Sequence, residues 1–227
     1  MKRIAFLLFF GVLVSSARGY VFEGQIWNVS AVPIATCLGA TQWELTVFKP
    51  FPTFDGSTSF NGIFFAAVAD WNQYLEPVGL TLLPYRATAH YGGHFGDGVC
   101  EVRFGRSIGG DTLDNETLAV TDYYYDVTTN YFAEGDIVFN TKVVWSSFRG
   151  VLHPVAVDLR RVALHELGHL IGLDHPDDAG QNLAAIMNSV ISDTDDLTTD
   201  DVTGAQTLYR NNPIPRTAPP AGETGLP

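Results

Sequence analysis

His165-Glu166-Leu167-Gly168-His169-Leu170-Ile171-Gly172-Leu173-Asp174-His175 is the stretch that decides the reading of this 227-residue chain. His165 and His169 are four apart in an apolar, helix-compatible run that begins near Val155, with Pro154 suited to a first helical turn. On a helix they lie about 40° apart on one face, so two neutral imidazoles can bind one metal ion, and zinc suits them. Glu166, beside the first ligand, is placed to act as a general base. A continuing helix would turn His175 about 240° away from His169. Gly172 removes that objection, because glycine takes the left-handed conformation that stops a helix and turns the chain back. Three protein ligands leave a fourth zinc position for water, as catalytic rather than structural sites do. A buried helix with satisfied core histidines would explain neither Glu166 nor Gly172.

Composition bounds the rest. The length suits one well-buried domain. Lys2 and Arg3, an apolar run from Ile4 to Val14 and small residues at 15–19 read as a signal peptide over residues 1–19. That run is too short for a lasting membrane anchor, so the chain is expected to be secreted, outside the cell or in a periplasm. The formal net charge is −12. Loss of residues 1–19 removes Lys2, Arg3 and Arg18 from 13 basic residues and none of the 25 acidic ones, leaving −15. So acidic a surface argues against nucleic acid and anionic membranes as partners, and it also serves solubility. The chain is expected to be a monomer. Cys37 and Cys100 are the only cysteines. In an exported chain they are expected to form a disulfide, with Cys37 as an inhibitory zinc ligand the rival reading.

Along the chain, 20–42 reads as an N-terminal extension, 43–210 as the catalytic domain and 211–227, with five prolines, as a disordered tail. Strands are expected at Gln42–Phe48, Leu80–Leu83, Val99–Phe104, Thr117–Tyr125 and Asp136–Asn140. Helices are expected at Phe60–Leu75, through the histidine motif, and from the Thr198 cap to Tyr209, with Asp201 completing a capping-box-like pair. His90, His94 and Asp97 read as ordinary loop residues. The fold class is α+β: a twisted five-stranded mixed sheet with an active-site helix and a C-terminal helix.

The HExxHxxGxxH spacing resembles the metzincin zinc metallopeptidases, whose second mark is a methionine turn. Ile186-Met187-Asn188 stands in that place. Asp136–Asn140 followed by Trp145, Leu197–Tyr209, and Ala69–Asn72 with Gly79-Leu80 resemble the matrixin catalytic domain. The resemblance implies a zinc endopeptidase whose partner is a peptide or protein substrate, bound along an edge strand, here Thr117–Tyr125. Leu164 and the residues after Met187 would then wall the pocket beyond the scissile bond. Glu166 would take a proton from the zinc-bound water, and Met187 would floor the imidazoles. An exported zinc-binding recognition or adhesion module with an idle site is the alternative.

The chain also departs from that family. Val120 and Val138 stand where matrixins carry structural-zinc histidines, so one zinc is expected. The acidic calcium ligands are mostly missing, which leaves calcium open. Pro176 after the third histidine is similar to the serralysins. The chain is expected to have no propeptide of the usual length, and the residues around Cys37 do not match a cysteine-switch sequence. In the metzincin sheet the first and third strands are parallel neighbours, which would bring Cys37 and Cys100 to one end of the sheet.

Overall fold

The computed structural model describes residues 19–39, 53–87 and 96–212. Five strands form the central sheet: β1 Ala31–Cys37, β2 Thr81–Arg86, β3 Cys100–Gly105, β4 Ala119–Asp126 and β5 Tyr131–Asn140. Their spatial order is β2-β1-β3-β5-β4. Every pairing is parallel except β4 with β5, so β4 is an antiparallel edge strand. Helices α1 Phe60–Leu75, α2 Leu159–Leu170 and α3 Thr199–Asn211 complete the frame. The expected mixed sheet with an active-site helix and a closing helix is what the chain builds.

Helix α1 begins where Ser59 accepts the Gly62 amide, and its apolar face carries Phe64, Val68, Trp71 and Leu75 into the core. It carries the chain from β1 to the parallel strand β2, a connection that needs a crossover. The Trp71 indole donates to the Leu164 carbonyl at 2.9 Å, fixing α1 against α2. One expectation is corrected: Leu164 is fully buried in the core and is not among the residues lining the cleft. Helix α2 also starts later than Pro154 suggested. Asp158 caps it by accepting the Arg160 amide, while Pro154 lies in the turn ahead.

The first sheet strand comes from the stretch read as an extension. Ala31–Cys37 lies between β2 and β3, near the middle of the sheet. The strand expected at Gln42–Phe48 lies outside the described residues, as do His90 and His94. The expected disulfide between Cys37 and Cys100 is not formed. Cys100 lies opposite Ile34, and Cys37 opposite Arg103, so the two cysteines are three positions apart on neighbouring strands. That offset puts them on opposite faces and roughly 11 Å apart, beyond the ~7 Å a disulfide spans. Among the described residues no helix is long and apolar enough to cross a membrane.

Candidate metal centre and cleft

Helix α2 puts His165 and His169 on one face, and the chain must then reverse to deliver His175. Gly172 makes the reversal with φ +97°, and a Cβ there would also come within 2.6 Å of the Gln25 carbonyl. The last carbonyls of α2 would be orphaned at such a stop. The Trp27 indole donates to Leu170 O at 2.7 Å and the Tyr209 hydroxyl to Ile171 O at 2.9 Å. An aromatic residue before the sheet and one in α3 thus finish the helix that carries the site.

The three imidazoles converge. His169 Nε2 is 3.0 Å from both His165 Nε2 and His175 Nε2, and the latter two are 3.1 Å apart. Every Nδ1 meets an acceptor: Ile186 O at 2.8 Å for His165, Leu173 O at 2.9 Å for His169 and Asp178 Oδ2 at 3.1 Å for His175. In the neutral form these acceptors favour the tautomer with the proton on Nδ1, which leaves each Nε2 to present a lone pair. Three lone pairs facing one another without a proton between them repel, and a cation among them turns that repulsion into binding. Burial, with the neighbouring His169, pushes the His165 pKa down to about 3 and keeps it in the neutral, ligating form. Among the described residues these histidines are the one group of potential ligands close enough to share an ion. That group includes no cysteine, so Cys37 does not stand as a switch ligand.

Met187 packs against α2 at Gly168. It is 2% exposed, and a Cβ on Gly168 would fall 2.1 Å from its sulfur, so glycine between the two helical histidines makes room for it. Asp201 accepts the amides of Ile186 and Met187 at 3.0 and 3.1 Å, which aims the Ile186 carbonyl at His165.

Glu166 is buried beside the triad, and burial raises its pKa above the ordinary carboxylate value. Its Oε2 accepts the Thr121 hydroxyl at 2.7 Å, and the same hydroxyl lies 3.0 Å from the Glu166 carbonyl. Thr121 belongs to β4. Between that edge strand and α2 runs a cleft of about 1050 Å³, lined also by Ala185, Ile186 and residues 188–192. Val162 and Arg161 line it where Leu164 was expected. The Arg161 guanidinium is buried and donates to Ser192 O and Gly150 O, both at 2.6 Å.

Two further residues, Glu23 and Tyr123, form a second layer about the centre. Glu23 Oε1 lies 3.1 Å from His169 Nδ1, and its Oε2 accepts the Tyr123 hydroxyl at 2.9 Å. Tyr123 shares a face of β4 with Thr121, a two-residue spacing that strand alternation could have revealed. Nothing local marks Glu23, whose partners lie 100 and 146 residues away.

Residues 99–210 match the Matrixin family model, Peptidase_M10. The metalloendoproteinase 2-MMP of Arabidopsis thaliana is 38% identical over 98 residues, which is 40% of this chain and 21% of that protein. The macrophage metalloelastase of Oryctolagus cuniculus is 34% identical over 87 residues, 36% of this chain and 18% of that one. The metalloendoproteinase 1-MMP of Arabidopsis thaliana is 49% identical over 61 residues, 26% of this chain and 16% of that protein. The chain thus spans about a fifth or less of the length of these relatives. The matched segment contains α2, the histidine triad, Met187 and the Asp201 clamp, and over residues 99–210 the chain carries a matrixin-like metzincin segment.

Proposed function

We propose that this protein is a secreted zinc-dependent endopeptidase. The observation that carries the proposal is the convergence of three Nε2 atoms within 3.1 Å of one another, beside the buried carboxylate of Glu166. His165, His169 and His175 would hold the zinc, and Glu166 would be the catalytic base. A zinc ion bound there supplies Lewis acidity, polarising a carbonyl oxygen and making water a better acid. The remaining work belongs to the chain. An extended peptide pairs with the open edge of β4 and lies across the cleft. Glu166 takes the proton of the attacking water and later returns it to the departing amine. Its burial suits both tasks, because a carboxylate with a raised pKa holds a proton more readily in transit. Thr121 keeps that carboxylate turned toward the edge strand where the peptide lies. The relatives' names, metalloendoproteinase and metalloelastase, support the same reading. Export rests on the composition of residues 1–19.

Metal analysis and cleavage of a peptide library by the purified mature protein test this directly. Glu166→Ala is expected to retain zinc while cleavage falls at least ~10²-fold, the usual contribution of a positioned general base. A variant that cleaves as fast as the unmodified protein would remove Glu166 from the mechanism. An unmodified protein that binds zinc and cleaves nothing would be a zinc-binding recognition module instead.

A further inference from the structure

The family match begins at residue 99, yet a carboxylate from residue 23 touches the metal centre. Val21 and Phe22 pair antiparallel with Asp174 and Leu173, and the Glu23 amide donates to Gly172 O at 3.0 Å. This short ladder runs along the turn that separates the second and third histidines. It delivers the Glu23 side chain to the outer nitrogen of His169, 3.1 Å away. The other carboxylate oxygen is held by Tyr123 at 2.9 Å, so both ends of the carboxylate are engaged and its orientation is fixed. His169 Nδ1 has one proton and two acceptors, Glu23 Oε1 and Leu173 O. Leu173 O alone would satisfy the ring, so hydrogen-bond completion does not require Glu23. What the carboxylate adds is negative charge at the back of the imidazole, which makes the opposite nitrogen a stronger donor to a cation and resists rotation of the ring.

We propose that Glu23 is a positioning residue of the metal centre, acting through His169 and itself oriented by Tyr123, so that the segment ahead of the matched domain is a working part of the site. This rests on the zinc reading above and adds to it a contribution from outside the matched residues. The test measures zinc affinity of the full-length protein by chelator competition at fixed pH, alongside the melting temperature of the metal-free protein.

Glu23→Ala is expected to weaken zinc binding about 10–100-fold, the usual effect of losing such an outer partner, with the metal-free melting temperature nearly unchanged. Glu23→Gln, which keeps an acceptor and loses the charge, is expected to fall between the two. Tyr123→Phe keeps the ring packing, releases one end of the carboxylate and is expected to show a smaller loss. It also serves as the deciding variant if Glu23→Ala fails to fold. Unchanged zinc affinity in the folded variants would overturn the proposal. So would a loss of affinity that appears only together with a lower melting temperature of the metal-free protein. If the unmodified protein binds no zinc, it is the zinc reading that falls. If it binds zinc tightly and the variants bind equally well, only the role of Glu23 falls.

Discussion

Asp136 is a carboxyl group placed where ionisation is costly. It lies on β5 with 4% exposure, and its Oδ1 accepts the Glu101 amide at 2.8 Å across the sheet. Burial, reinforced by the nearby carboxylates of Glu134, Glu101 and Asp97, outweighs that hydrogen bond and pushes its pKa up to about 7. The unfolded chain loses this proton near pH 4. The stability conferred by the protonated form is therefore complete below about pH 4 and is lost as pH rises through about 7. Asp136→Asn keeps an acceptor for Glu101 and cannot ionise. It is expected to match the unmodified protein at pH 4 and to be more stable at pH 8, by on the order of 2–4 kcal/mol. Urea denaturation at the two pH values measures this, and equal stability at pH 8 would contradict the assignment. Glu166 is buried too, and there His169 and the Thr121 hydroxyl oppose the effect of burial without overcoming it.

The segment between α2 and α3 has little regular structure, and one carboxylate organises much of it. Asp201 caps α3 through Thr198, whose amide and hydroxyl both reach Oδ2 at 2.7 Å, and it also holds the amides of Ile186 and Met187. Asp201→Ala leaves these donors unsatisfied in a site that is 1% exposed. It should destabilise the protein by about 3 kcal/mol, combining a lost cap with buried unpaired amides. Zinc affinity should fall with it, because Ile186 O steadies His165. Chemical denaturation and chelator competition on the one variant check both; loss of stability with unaltered affinity would separate the cap from the centre.

The same residue shows what sequence could reveal. The pairing of Thr198 with Asp201 is a three-residue spacing and was legible, as were Phe60–Leu75 as a helix and the HExxHxxGxxH histidine motif. That Asp201 also grips a turn 14 and 15 residues upstream depends on tertiary packing, and no spacing rule encodes it. Strand β1 was missed for a different reason. Its burial is nearly continuous, so it lacks the alternation of a half-buried strand, and Pro33 interrupts it as a breaker would. The nearby Gln42–Phe48, which alternates, drew the assignment instead.

At the scale of the whole molecule, the matched segment and the folding unit are different things. Residues 99–210 supply β3, β4, β5, α2 and α3. They lack β1, which lies between β2 and β3, and α1, whose Trp71 and Phe64 are fully buried. They also lack Trp27, the donor that finishes α2. Produced alone, residues 99–210 would expose the apolar faces that α1 and β1 cover, so they are expected to aggregate or remain unfolded and to bind zinc weakly. A cooperative unfolding transition in that fragment would show that the residues ahead of position 99 are dispensable. The ladder between Val21-Phe22 and Leu173-Asp174 has a consequence in time as well as in space. During synthesis the chain emerges N-terminus first. Glu23 is made early, but the turn it braces follows some 150 residues later, and Asp201, which holds the Met187 turn, comes later still. The centre closes only once Asp201 has been made. Until then the three histidines are not braced together, so a chain cut short before Asp201 is expected to hold a metal ion poorly.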